Sequence, residues 1–479
     1  MRIIAIGVLV LSIFASSCNK EKLAPVPPTN ITEKDAFSTP QRISQQVLGM
    51  YSAVKTAEFF AGRIQVSNEL RGGQFLNATL NVAAGLSTWQ FTLDPSSAEV
   101  RLVWNDGFAA INMSNIVFEG IEASSAIDEV QKKKYFGESR FIRALASFAL
   151  VQLYARPYWD NPAQSPGIPL RLTANKEGGN NDLERASVED VYKQILEDLN
   201  YAEENLPALY PTAYENATRA HKNTAIALKT RVYLYMRNYA KVVEEANKIV
   251  SSNAPFRAPS GVANQLMPDI RTAFAAPYTT LESVFSFPYS TLDAPTTIGI
   301  YFNPSPNGSG HFPINPAGIL SNTQWGMADI RRTFNQVVGT STWLRKWPKN
   351  PSSESDYIPC IRYSEILLNL AEALARSTNE LNERAIALLN AVRQRSDVNV
   401  IYEASDFATV DELVEQILVE RKIELLGEGF GGFDRMRLGL SLPAKGTVPE
   451  LSPSDIQYIW PIPLSELLFN PSMTQNNGY

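Results

Sequence analysis

The 479-residue sequence predicts a mainly α fold of helical hairpins, with a loop-rich, partly β lobe set between two helical blocks. Three observations predict it. Apolar residues recur at helical spacing from Phe37 to about Val250 and again from Cys360 onward. Helix caps precede several of these runs, as in Ser187 with Asp190 and Thr409 with Glu412. Between the blocks, Pro255 to Pro351 holds twelve of the thirty prolines and few acids, so no long helix can run there.

The N-terminus reads as a secretion signal. Arg2 supplies a positive start, Ile3 to Ala15 is apolar apart from Gly7 and Ser12, and Ser16 and Ser17 lead into Cys18. The run is too short to span a bilayer, and small-small-Cys is the pattern of a lipidation site, with Cys18 as the acylated first residue of the mature chain. Only one other cysteine exists, so no disulfide is expected; Cys360 reads as a small core residue. Asn19 to Asn30 carries three prolines and reads as an extended tether. The expected division is a signal peptide at 1–17, lipidated N-terminus and tether at 18–36, a first helical block at 37–254, the central lobe at 255–358, and a second block with the C-terminal tail at 359–479.

In the first block, Phe141, Leu145, Phe148 and Val151 form one stripe within Glu138–Tyr154, and Ile142, Ala149 and Leu153 widen it nearly all round. Such a helix is covered on two sides. Ser187 caps the run of Val191, Ile195 and Leu199, and a turn near Asn238 joins Asn223–Arg237 to Tyr239–Val250 as a hairpin. In the central lobe, Ser283–Phe287 and Ile298–Phe302 read as short strands. In the second block, Tyr363 to Leu374 keeps helical spacing, a turn follows at Ser377 to Asn379, and Ala385, Leu388, Leu389 and Val392 repeat the pattern. Thr409 then opens a helix carrying Val414, Ile417 and Leu418. Paired helices at this spacing resemble tetratricopeptide units of about 34 residues, though the repeat is loose.

Composition and motifs exclude several functions. A net charge of −6 and an isoelectric point near 5.4 argue against a nucleic-acid partner. Only His221, His311 and Cys360 remain as soft ligands, so no zinc site is expected, and no metal ligand or cofactor is assigned. Neither histidine sits in a nucleophile motif, and no enzymatic activity is expected. The glycines of Gly427–Asp434 (GEGFGGFD) follow a helix and read as a cap and turn, not a phosphate cradle. Arg140, Glu138, Glu420, Arg421, Glu424 and Glu428 lie in or beside apolar helices, where charge must be paired, and read as a structural ion network.

Six stretches, in order along nearly the whole chain, resemble the SusD/RagB family of nutrient-uptake lipoproteins. They are the lipidation signal, EVRLVWNDGFAAINMSNIVFEGI with Trp104, Asn112 and Asn115, ESRFIRALASFALVQLYARPYW, CIRYSEILLNLAEALARS with LNAVRQRS, ERKIELLGEGFGGFDRMRLG, and the closing WPIPLSELLFNPSMTQNNGY. The resemblance implies a tetratricopeptide-like scaffold with a ligand-binding lobe. It further implies an outer-membrane, lipid-anchored location on the cell surface, and a SusC-like TonB-dependent transporter as partner. The ligand it implies is an oligosaccharide; some RagB-like members instead serve peptide uptake, and a surface glycoside hydrolase is a more distant alternative. The tract after Cys18 departs from the acidic pattern common in such surface lipoproteins, with Glu21 flanked by Lys20 and Lys22.

Sugar receptors combine exposed aromatic platforms with amide, carboxylate and guanidinium groups. Two regions offer that mixture outside clear helices. Asn68 to Asp94 holds Arg71, Gln74, Asn77, Trp89 and Gln90, and the central lobe holds Tyr289, Tyr301, Asn303, Trp325 and Trp343. The expected ligand-binding set is Arg71, Asn77, Trp89, Tyr289, Tyr301, Asn303, Trp325 and Trp343. Trp89 and Trp325 are expected to be exposed and Trp104 to be core.

Overall fold

The first block opens with α1 (Glu33–Ala36) and α2 (Pro40–Val54), whose N-termini are capped by the side chains of Thr32 and Thr39. These coordinates are a computed structural model that describes residues 32–176, 178–179, 181–290, 292, 298–348 and 356–479. The expected signal, Cys18 and the proline-rich tether lie outside the described residues.

After α2 come α3 (Arg63–Arg71), the short α4 (Leu86–Gln90), and a hairpin of two 26-residue helices, α5 (Ala98–Ala123) and α6 (Glu129–Tyr154). α6 starts nine residues before the predicted Glu138, at a cap made by Asp128, and every residue from Phe141 to Tyr154 except Gln152 is buried. That follows from its position against α5 on one side and α7 (Val188–Asn205) on the other. Ser187 caps α7 through the Asp190 amide as predicted. Arg143 on α6 binds Asp198 on α7 through both Nε (2.8 Å) and Nη2 (2.6 Å) and also donates to Asn115 on α5, tying the three helices together. Asn112 and Asn115 in turn hold the backbone of Arg171, Thr173 and Asn175. The short α8 (Ala213–Thr218) precedes the predicted hairpin, formed by α9 (Lys222–Tyr235) and α10 (Tyr239–Ala246), the latter capped by Asn238.

The second block follows β4 (Ile358–Arg362) without a loop: α12 (Tyr363–Thr378) ends at Asn379 in the left-handed conformation, and α13 (Glu383–Ser396) packs back on it. α14 (Val410–Glu424) is capped by Thr409, and α15 (Gly431–Arg437) and α16 (Leu464–Phe469) complete the helices. The result is the mainly α hairpin scaffold that the periodicity predicts.

Between the blocks the chain forms two small antiparallel ladders. β1 (Ser283–Phe287) pairs with β4, and β2 (Asn335–Val338) pairs with β3 (Ser341–Leu344). β1 is the strand predicted there. Ile298–Phe302 is not a strand: it forms the short helix α11 (Ile298–Phe302), closed by the Asn303 amide donating to the Gly299 carbonyl. Its β-branched content suggested a strand, but burial of Ile298 and Phe302 on one helical side overrides that preference.

The lobe is joined to the second block by buried charge. Arg331 binds Asp329 (2.6 Å), Glu420 (2.5 Å) and Glu424 (3.0 Å). Glu424 also takes Arg362 and Arg395, both at 2.7 Å; Arg362 and Arg395 share Glu282; and Glu428 takes Arg362 and Lys346, both at 2.7 Å. The guanidinium groups around Glu424 and Glu428 outweigh burial and hold both carboxyls below the usual range, Glu424 well below it. The predicted structural network is therefore present, and Glu138 is likewise paired with Arg219 at 2.7 Å. Arg140 differs, lying over the rings of Tyr201 and Phe118 and only 4.0 Å from Asp198.

Candidate ligand-binding face

The two regions singled out in the sequence meet in space. Phe75 bridges Ile314, the Leu76 amide donates to the Pro313 carbonyl and the Ala78 amide to the His311 carbonyl, both at 2.9 Å. The Ile314 amide then donates to Thr342, so that residues 75–78, 311–314, β3 and β2 lie side by side. α11 closes one end, with the Phe312 amide donating to the Tyr301 carbonyl. The segment after α3 and the central lobe thus build one face, carried on a helical scaffold. Its solvent side shows Thr79, Leu80, Asn81 and Val82 from the first region, and Ser305, Pro306 and Ser309 from the second.

Most of the expected aromatic platforms are not on that surface. Trp89 is 5% exposed, and Trp325 is 2% exposed. Tyr289, Tyr301 and Trp343 are buried, as are Arg71 and Asn303; among the expected set only Asn77 is half-exposed. The expectation of open loop tryptophans is therefore corrected. LSTWQ forms α4, and the indole N–H of Trp89 donates to the Phe75 carbonyl at 3.0 Å, which lets the ring enter the core without an unpaired polar group. Trp325 lies beneath the guanidinium of Arg332, 4.5 Å from its ring centre. Ser321, Thr323 and Gln324, beside Trp325, are exposed themselves, but the chain turns between them and the ring. Trp104 is core as expected, edge-on to Tyr154 at 4.9 Å.

Each buried member except Trp343 has an anchoring contact. Arg71 donates to the Tyr458 carbonyl at 2.5 Å, Asn303 to the Trp347 carbonyl at 2.7 Å, and the Tyr289 hydroxyl to the Lys55 carbonyl at 3.1 Å. Tyr301 packs under the guanidinium of Arg63, 5.3 Å from the ring centre. Several polar atoms beneath the face nevertheless have no protein partner: Nη1 of Arg63, Nδ2 of Asn77, Oδ1 of Asn335 and Nε1 of Trp343. Buried donors and acceptors in that state can satisfy a hydroxyl-rich ligand or water.

Two residues of this face were not in the expected set. His311 sits with Nδ1 2.7 Å from the Thr79 hydroxyl, linking the two regions, and Arg63 comes from a helix whose sequence gives no hint of its reach. Burial lowers the His311 pKa, so its imidazole is neutral at pH 7. The other histidine, His221, is fully buried at the start of α9, where burial lowers its pKa to about 4. Among the described residues no group of three or more His, Cys, Asp or Glu side chains is arranged to hold a metal, and no helix is long and apolar enough to cross a membrane.

The glycine-rich turn after α14 does cradle an anion, but one of the chain's own. The amides of Gly429 and Phe430 donate to Glu69 of α3 at 2.8 and 3.1 Å. Burial dominates over these bonds and lifts the Glu69 carboxyl to about 7. Glycine is required where α3 meets this turn: a Cβ on Gly72 would come within 2.6 Å of the Gly431 carbonyl carbon.

The architecture is a helical-hairpin scaffold carrying a composite loop face that a buried ion network fixes in place. The comparisons agree. Residues 26–234 match the family model described as starch-binding associating with outer membrane, and residues 332–445 match the SusD family model. SusD-like protein P38 of Formosa agariphila is 23% identical across all of this chain and 97% of its own length. A SusD superfamily protein of Bacteroides fragilis superposes with a TM-score of 0.82 at 29% identity, covering 92% of this chain and all of that one. A laminarin-binding SusD-like protein shares the fold, with a TM-score of 0.71 at 20% identity over 92% of this chain and all of its own. The chain belongs to the SusD/RagB family.

Proposed function

We propose that this protein captures oligosaccharide at the outer membrane and passes it to a SusC-like TonB-dependent transporter, without hydrolysing it. The observation that carries the proposal is the meeting of residues 74–83 with residues 301–311 on one face, where partly buried donors and acceptors lack protein partners. Family membership and the laminarin-binding relative support a carbohydrate ligand. In this reading Asn77, Tyr301, Trp343 and His311 lie nearest the ligand. Arg71, Trp89, Tyr289, Asn303 and Trp325 hold the face from beneath. Cys18 is the acylated residue and anchors the protein beside the transporter on the cell surface.

Calorimetric titration of the purified protein with maltooligosaccharides and laminarin oligosaccharides tests this. The paired change Asn77→Ala and His311→Ala should weaken binding about tenfold or more, the scale of one or two lost polar contacts. The melting temperature should hold. If none of these glycans binds, or the paired variant binds as the parent does, the assignment of this face fails. Mass spectrometry of the native protein checks acylation of Cys18, and gentle detergent extraction checks co-purification of the transporter.

A further inference from the structure

On the side of the second block lies a cleft between α14, α15 and the end of α3, which shares only Gln74 with the face just described. It opens to solvent and is narrow, with a cavity volume of about 50 Å³. Its walls are mainly leucine, with Leu418, Leu438 and Leu440 at the rim and Leu425 and Phe430 deeper. That size suits one side-chain-sized group with a short extension, not an oligosaccharide.

The charge facing the cleft is unbalanced. Arg421, 1% exposed, gives Nε to Asp434 and Nη1 to Asn369, but its Nη2 has no protein acceptor. Lys422 and Arg435 line the same cleft, and among the described residues neither has a carboxylate within ion-pairing distance; the Arg435 Nε donates only to the Ser441 carbonyl. Arg435 is half-buried, and burial lowers its pKa, while Lys422 stands exposed at the mouth. The two acids at the cleft are committed elsewhere: Asp434 to Arg421 and Arg437, and Glu69 to the backbone amides of the glycine-rich turn. What remains free is a guanidinium N–H at the floor and two cations at the rim, within apolar walls.

We infer that this cleft binds a small carboxylate carried on an apolar body. The carboxylate pairs with Arg421, Lys422 and Arg435, and the body packs on the leucines. A free branched-chain acid and the C-terminal residue of a peptide share that chemistry.

Ligand-observed NMR on the purified protein, with 4-methylpentanoate, N-acetyl-leucine and the neutral N-acetyl-leucinamide as probes, tests this. Both acids should bind, and the amide should bind about tenfold more weakly because it cannot form charge-assisted bonds. N-acetyl-leucine binding more tightly identifies a peptide terminus as the source, and 4-methylpentanoate binding as tightly or more so identifies a free acid; either order supports the site. The paired change Lys422→Gln and Arg435→Gln should weaken acid binding about tenfold, and Leu440→Asp should abolish it, while oligosaccharide binding on the other face is unchanged. Should the paired variant fold poorly, Leu440→Asp alone, at an exposed position, decides the matter. Equal binding of acid and amide, undiminished binding by the variants, or no binding of any probe overturns the inference.

Discussion

The lobe has two sides of opposite character. Toward α13 and α14 it is fixed by ions: Asp329, Arg331, Lys346 and Glu282 meet Arg393, Arg395, Glu420, Glu424 and Glu428 in a network with almost no exposed atom. Toward solvent, the 75–83 and 301–311 segments are held by scattered backbone bonds, and they keep polar atoms without protein partners. A buried ion network gains little net energy over an apolar core, but losing one member leaves charge stranded. It therefore fixes the position of the lobe more than it strengthens it. That fixed side lets the other side vary its loops without moving them relative to the scaffold.

The comparison breaks most clearly at Glu424, which pairs with Arg331, Arg362 and Arg395 together. Glu424→Ala should cost about 3–5 kcal/mol in urea unfolding, the range for uncovering a buried charge. Glu244→Ala, which removes the partner of Lys241 in an exposed surface pair, should leave stability unchanged within measurement. Equal losses for the two would mean that the network does not hold the lobe in place.

Next in size are the tryptophans. Trp325→Ala and Trp89→Ala should each destabilise by about 3–5 kcal/mol, as does Trp104→Ala, because all three leave cavities in packed surroundings. Normal melting of the Trp89 and Trp325 variants would place those rings on the surface and restore the platform reading.

How much of this could be read from sequence depended on the range of the interactions. The helices, their caps and the paired charges of Glu420, Glu424 and Glu428 were legible because helical spacing and apolar context are local signals. β1 was legible for the same reason. Its partner β4, some seventy residues on, was not, because antiparallel pairing at that distance leaves no mark in either segment. The face was located by composition, since loop-like stretches with aromatics and amides did converge. Which side chains would reach its surface was not legible: Trp89 is buried by a bond to Phe75, and His311 is placed by Thr79. Those contacts join residues far apart, or turn the chain within a few positions, and no periodicity encodes them.

A third test separates the two kinds of buried acid. Glu424 and Glu428, held low by the surrounding guanidinium and ammonium groups, contribute stability above the ordinary carboxylate range that is lost as pH falls below about 4. Glu69 runs the other way. Its folded carboxyl titrates near 7, above its unfolded value, so the folded state binds the extra proton and stability falls as pH rises from about 4.5 through 7. His221, lowered to about 4, opposes this in the same window, so the useful quantity is wild type minus Glu69→Gln. That difference should shift by up to about 2 kcal/mol between pH 5 and 7.5 in urea unfolding. A difference that does not vary with pH would mean that Glu69 stays ionised in its backbone cradle.

The smallest effect belongs to the solvent side, where the comparison can be sharpened. The Asn77 side chain accepts from the Leu80 amide at 2.8 Å, a local turn bond at a half-exposed position, while its amide nitrogen has no protein partner. Removing that bond from a loop costs little, because water replaces it. Asn77→Ala should therefore change unfolding free energy by less than about 1 kcal/mol while weakening oligosaccharide binding by about 1–2 kcal/mol. Asn77→Asp retains the turn acceptor and replaces the donor with a carboxylate. If the free amide is what a hydroxyl-rich ligand meets, the aspartate variant should match the parent in stability and match the alanine variant in affinity. Should it bind as the parent does, the donor is not used, and Asn77 serves the turn alone.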